Sequence, residues 1–140
     1  MFYKQDSQAL VEFALILPFF IFILFGIIYM GFILSDYLAL NNMARSSARE
    51  ASLTDSANYD HIRNTYYKQY AGNLNTNLLQ LQSGDFTLSD DKQGNVVSHV
   101  HATMNIDDSN IGSAIYRIVT PDKVPEVNIY YRMYKEKQAK

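Results

Sequence analysis

Apolar and polar positions divide this chain into one unbroken apolar block and a remainder in which apolar residues recur periodically. From Phe13 to Leu34, 22 consecutive residues carry no charge and nearly all are apolar. As a helix, that run is about 33 Å long, enough to cross the hydrocarbon core of a bilayer. Leu38 to Leu53 follows without proline or glycine and is rich in Ala, Leu, Met, Arg and Glu, which favour helix. The pattern predicts one continuous helix from about Gln8 to Leu53.

Thr54-Asp55-Ser56 is a stop followed by fresh capping chemistry. Ile62, Tyr66, Tyr70, Leu74, Leu78 and Leu81 then recur at helical spacing and predict helix between Ala57 and Gln82. Gly72 and the asparagines at 73, 75 and 77 predict that it is kinked or divided. The period changes after Ser83-Gly84. Asp85–Asp90 is a short strand and Asp91–Gly94 a turn. Asn95–Ile106 alternates, with Val96, Ser98, Val100, Ala102, Met104 and Ile106 on one face and His99 and His101 on the other. Asp107–Asn110 caps a short helix over Ile111–Val119, Pro121 and Pro125 bracket a loop, and Glu126–Tyr134 alternates as a final strand. Lys135–Lys140 is a polar, basic tail. The fold class is α+β: a long N-terminal transmembrane helix continuing into a small domain of one or two helices and a short antiparallel sheet.

At 140 residues the chain has room for one span and one small domain. A net charge of −2 gives no bulk attraction to nucleic acid. The absence of cysteine excludes disulfides and cysteine-metal sites. Met1–Ser7 is a short polar leader, and the long apolar core behind it reads as a retained anchor, not a signal removed whole. Lys4 precedes the span while Arg45 and Arg49 follow it, so charge does not set the orientation.

Two residues distinguish this segment from an ordinary anchor. Glu12 stands just before the charge-free run, where an ionised carboxylate is costly unless it is paired or reaches the headgroups. Pro18 lies one to two turns into the span, where it removes a helix hydrogen bond that neighbouring helices can compensate.

The run Ser7-Gln8-Ala9-Leu10-Val11-Glu12-Phe13-Ala14-Leu15-Ile16-Leu17-Pro18 resembles the N-terminal segment of TadE-like proteins, minor pilins or pseudopilins of tight-adherence (Flp, type IVb) pilus systems. The Ala/Arg-rich stretch after the span adds to the resemblance, which covers about the first third of the chain. It implies cleavage by a prepilin peptidase between Ser7 and Gln8. Glu12 then becomes the fifth mature residue and Phe13 the aromatic that follows it. Ser7 departs from the glycine usual before the cut. The resemblance further implies a cytoplasmic N-terminus in the inner membrane, an outer C-terminal domain, and assembly with other minor or major pilins, a TadF-type pseudopilin among them, by the pilus assembly machinery. Under that reading, residues 1–7 are the leader, 8–53 the membrane and assembly helix, and 54–140 the extracytoplasmic domain. The assembly residues are Glu12, Phe13 and Pro18. The alternative, from a different class, is a bitopic anchored protein whose outer domain binds a ligand or envelope partner without entering a filament.

Other chemistry is sparse. His99 and His101 share a strand face but lack a third ligand of evident spacing, so a solvated face is the default. Asp107 and Asp108 fit capping or a turn better than a calcium loop. Arg45, Arg49 and Glu50 read as a solvated face with local ion pairs. Ala44, Ser47, Ala48, Ala51 and Ser52 permit close helix approach, with packing on the chain's own domain favoured over a partner interface. Tyr130, Arg132, Tyr134 and Lys135 form either an aromatic-basic contact surface or an ordinary exposed strand face. No catalytic residue, metal ligand or cofactor is assigned, and an enzyme is not expected.

Overall fold

Helix α1 (Tyr3–Ser52) carries the whole apolar block and continues past it. The computed structural model describes the backbone of residues 3–74, 78–105 and 124–135, with side chains from residue 9 onward in those ranges. The chain forms two compact units, Met1–Phe32 and Ile33–Lys140, so α1 contributes to both. Helix continues through Pro18.

In the first unit the large apolar side chains are exposed, Leu15 at 78% and Phe19 at 67% among them. They have no core of their own to enter. The exposed apolar surface makes the segment a candidate membrane span.

In the second unit, α1 is followed by a 3-10 turn (Ser56–Asn58), helix α2 (Tyr59–Ala71), and strands β1 (Leu79–Gln80), β2 (Phe86–Asp90), β3 (Asn95–Met104) and β4 (Glu126–Tyr134). All pairings are antiparallel. β3 is central, with β1 and β2 along one side and β4 along the other. The register brings Val100 opposite Phe86 on one side and Ile129 on the other. Strand alternation then puts Val96, Ser98, Val100 and Ala102 on the inner face, all fully buried. Leu40, Met43 and Ala44 of α1 join Phe86, Val100, Ala102 and Ile129 in the main core cluster. Ala51 meets Tyr59, Ile62 and Val96 in a second one.

The small residues of α1 are spent on this contact. Ala44, Ser47, Ala48 and Ala51 are wholly buried, the self-packing reading of that stripe. Asp36, in the same helix, is also buried, at 1% exposure.

The tight turn between β2 and β3 lies at Asp91–Gly94, as the sequence predicts. Gly94 has φ +78°, in the left-handed region open to glycine. The Gly94 N–H closes the turn on the Asp91 carbonyl at 3.1 Å.

The helix breaks where Gly72 predicts, ending at Ala71 with Gly72 as its C-cap, but no second helical piece is seen from Leu78 to Gln82, where β1 stands instead. Leu78, Leu79 and Leu81 are buried in the sheet region through β1, whose Leu79 pairs with Met104. Helical spacing of leucines there is a by-product of strand and loop burial. The predicted helix over 111–119, Pro121, Asp107, Asp108, Ile106 and residues 136–140 lie outside the described residues.

Candidate functional site

The predicted assembly residues all lie in α1. Ser7 and Gln8 fall within its helical backbone, four residues after its start at Tyr3, so the expected cut bond is inside a helix. Glu12 and Phe13 follow, both exposed, with Phe13 at 63%. Pro18 stands inside the helix and supplies no N–H to the Ala14 carbonyl four residues back. From Ala9 the helix is long and apolar enough to be a candidate membrane span. A carboxylate, an aromatic and a proline thus lie within the first third of a helix whose apolar side chains from Ala9 to Ile28 are exposed.

The outer face of the sheet is the second place where side chains gather. Beside His99, the Tyr130 ring stacks at 4.2 Å between centroids and 9° between planes. His99 Nε2 lies 3.2 Å from Asn128 Oδ1. His101 sits between two carboxylates, its Nδ1 3.4 Å from Asp85 and its Nε2 3.6 Å from Glu126. The imidazoles are thus committed to different partners. Among the described residues no group of three His, Cys, Asp or Glu gathers to hold a metal. Tyr130 and Tyr134 are exposed at 67% and 68%. They share the outer face with Arg132, whose Nε lies 3.4 Å from Asp91.

Lys135, read from sequence both as the start of the tail and as a member of the Tyr130–Arg132–Tyr134 surface, bonds inward to its own domain. Its Nζ donates to Asp90 Oδ2 at 3.0 Å and lies 5.3 Å from the Tyr59 ring centre. The Tyr59 hydroxyl donates to the other Asp90 oxygen at 2.5 Å. Helix α2 and the ends of β2 and β4 are therefore clasped at one point. The Tyr59 hydrogen bond, aided by Lys135, holds the Asp90 carboxyl below its ordinary range. Lys135 is raised, chiefly by its bond to Asp90, and Tyr59 is raised by burial first and Asp90 second.

Asp91 organises the neighbouring turn. Its Oδ1 accepts the N–H groups of Asn95 at 2.9 Å and Gln93 at 2.8 Å. The Asn95 bonds are the main cause of its lowered pKa.

Glu50, read from sequence as part of a locally ion-paired face, takes a hydrogen bond from Tyr66. Burial first, and Glu50 second, push the Tyr66 phenol up to about 12. Sequence gave no sign of this pair, nor of the hydroxyl contact between Ser47 and Ser98 at 3.1 Å. Polar partners 16 or 51 residues apart leave no local periodicity behind.

Comparison with known proteins identifies the N-terminal segment. Residues 8–49 match the model of the family described as TadE-like protein, so the similarity covers most of α1 and none of the sheet. No curated protein and no solved structure gives a significant match.

Proposed function

We propose that this TadE-like chain is a minor pilin or pseudopilin of a tight-adherence pilus, with no catalytic role of its own. The observation that carries the reading is the TadE-like match over residues 8–49. It coincides with a helix in which Glu12 directly precedes a long, exposed apolar run.

The mechanism follows from charge and solvation. Prepilin peptidase removes Met1–Ser7 and leaves a new ammonium group on Gln8. Placed against hydrocarbon, that charge is costly until a carboxylate meets it. Glu12 of a neighbouring subunit supplies the carboxylate, and the pair fixes helix register more than it adds stability. Helix–helix packing then replaces lipid around Phe13 to Leu34. At Pro18 the freed Ala14 carbonyl is satisfied by a neighbour. The N-terminus faces the cytoplasm and the 54–140 region lies outside, where a TadF-type pseudopilin and other pilins are the partners.

The test is the intact mass of the protein from its native membrane. A loss matching Met1–Ser7 supports the reading. A full-length mass with the peptidase active overturns it. In a processed protein, Glu12→Gln and Glu12→Ala are expected to abolish co-assembly with partner pilins. Unchanged assembly would remove Glu12 from the mechanism.

One observation favours a second reading, an anchored binding module that keeps its leader. Ser7 replaces the usual small glycine, and the Ser7–Gln8 bond lies within α1, where cleavage requires local unwinding. The same mass measurement separates the two.

A further inference from the structure

We propose that the outer edge of β4 is a pairing surface for β4 of a second copy of this chain, joined antiparallel about a two-fold axis at Ile129. The argument begins with where the backbone of β4 points. The Met104 N–H donates to the Pro125 carbonyl at 3.0 Å, in register with Thr103 opposite Glu126. Bonding alternates along an antiparallel pair, so Val127, Ile129, Tyr131 and Met133 turn their N–H and C=O groups toward β3. Glu126, Asn128, Tyr130, Arg132 and Tyr134 turn theirs away. On the opposite side of β3, the His101 N–H bonds to the Asp85 carbonyl at 2.8 Å, which confirms that odd and even positions of β3 serve different neighbours.

Among the described residues, β3 is the sole strand that β4 pairs with. Among the described residues, then, the nine-residue strand presents outward donors and acceptors, with no proline within it. Pro125, at its start, has its carbonyl committed to β3 and takes no donor from the outward set. Such an edge is a template for another strand. The opposite edge of the sheet is built differently. β2 is five residues long and is bracketed by Asp85, Asp90 and Asp91, the kind of charge that discourages pairing.

The sequence of β4 selects its own copy as occupant. With the axis at Ile129, Glu126 of each chain faces Arg132 of the other, and Asn128 faces Tyr130. Both side chains of the charged pair are largely exposed, Glu126 at 57% and Arg132 at 64%. In this register every outward-facing position meets another outward-facing position, so the ladder closes. On the inner face, half-buried Val127 of one copy meets half-buried Tyr131 of the other. The exposed charge pairs choose the register, and the backbone bonds and apolar contacts supply affinity. An isologous pair is closed, so it gives a dimer and not a fibre. The inference is independent of leader cleavage and of Glu12.

The test uses the full-length chain in detergent, with sedimentation as the readout at roughly tens of micromolar. Wild type is expected to dimerise. Glu126→Arg alone sets Arg against Arg, and Arg132→Glu alone sets Glu against Glu, each weakening association about tenfold or more. An equimolar mixture of the two variants restores both opposite-charge pairs in a heterodimer and is expected to recover wild-type association. Asn128→Pro removes an outward N–H while sparing the bonds to β3, and is expected to abolish dimers with the circular-dichroism spectrum unchanged. Three results overturn the proposal: a monomeric wild type, a mixture no tighter than its components, or dimers indifferent to Asn128→Pro. The last would place self-association elsewhere, on α1 or with another partner's strand.

Discussion

Ser47 of α1 and Ser98 of β3 meet hydroxyl to hydroxyl at 3.1 Å, in a contact where both residues are wholly buried. The Ser47 hydroxyl also donates to the Ala44 carbonyl at 3.1 Å, which leaves Ser98 to donate to Ser47. Removing Ser47 alone strands the Ser98 hydroxyl in an apolar layer. Ser47→Ala is expected to destabilise the unit that holds the sheet by about 1–3 kcal/mol. The double variant Ser47→Ala/Ser98→Ala is expected to cost less than the sum of the single changes, because it leaves no orphaned donor. Urea denaturation of the detergent-held protein measures both, and strict additivity would dissolve the pair as an energetic unit.

The Tyr59–Asp90–Lys135 clasp predicts stability that falls at both ends of the pH scale. Asp90 is lowered in the folded state. Its contribution is therefore present above the ordinary carboxylate value and lost as pH falls through the folded one. Lys135 is raised, so its contribution is complete below the ordinary lysine value and lost as pH rises through the folded one. Asp90→Asn should flatten the acid limb. Since Asp90 and Lys135 are partly solvated, its cost at neutral pH is expected to stay below about 1 kcal/mol. Thermal melts from pH 2 to 8 check this, and an acid limb identical to wild type would contradict it.

Tyr66 makes a separate alkaline prediction. Its phenol ionises near pH 10 when unfolded but is raised to about 12 in the folded domain. Stability is thus complete below pH 10 and declines as pH rises toward 12. Tyr66→Phe should remove part of that decline while losing the bond to Glu50 at neutral pH. Ultraviolet titration of the tyrosinates, wild type against Tyr66→Phe, identifies the late-titrating group directly.

Gly94 tests the turn. No atom lies within 4 Å of an added Cβ, so substitution is resisted by backbone conformation and not by a clash. At φ +78°, Gly94→Ala is expected to cost about 1–2 kcal/mol. Gly94→Asn should cost less, since asparagine visits the left-handed region more readily. Equal costs for the two would point to side-chain contacts instead.

Legibility in the sequence tracked how local each determinant is. The apolar run from Phe13 to Leu34 was readable as a candidate membrane span because length and composition alone carry that signal. The alternation in Asn95–Ile106 and Glu126–Tyr134 is a two-residue period, and both strands appear there, the first ending at Met104. The TadE-like stretch was readable for the same reason: its signal is contiguous, from Ser7 to Pro18, and the family match covers it from Gln8. Where two periods compete, reading failed. Leu74, Leu78 and Leu81 repeat at helical spacing, yet the helix ends at Ala71 and the sheet buries Leu78, Leu79 and Leu81.

By itself, the sequence determined the membrane-length helix, the helical and strand faces and the glycine turn, all set by neighbours a few positions apart. Tertiary structure alone decided that α1 spends its small residues on its own sheet and that Lys135 closes a clasp with Asp90 and Tyr59. It likewise decided that Glu50 answers Tyr66 and that, among the described residues, β4 pairs with β3 alone. Each of these depends on which distant segments become neighbours. That choice is made by the combined burial of many side chains, and no single stretch of the chain encodes it.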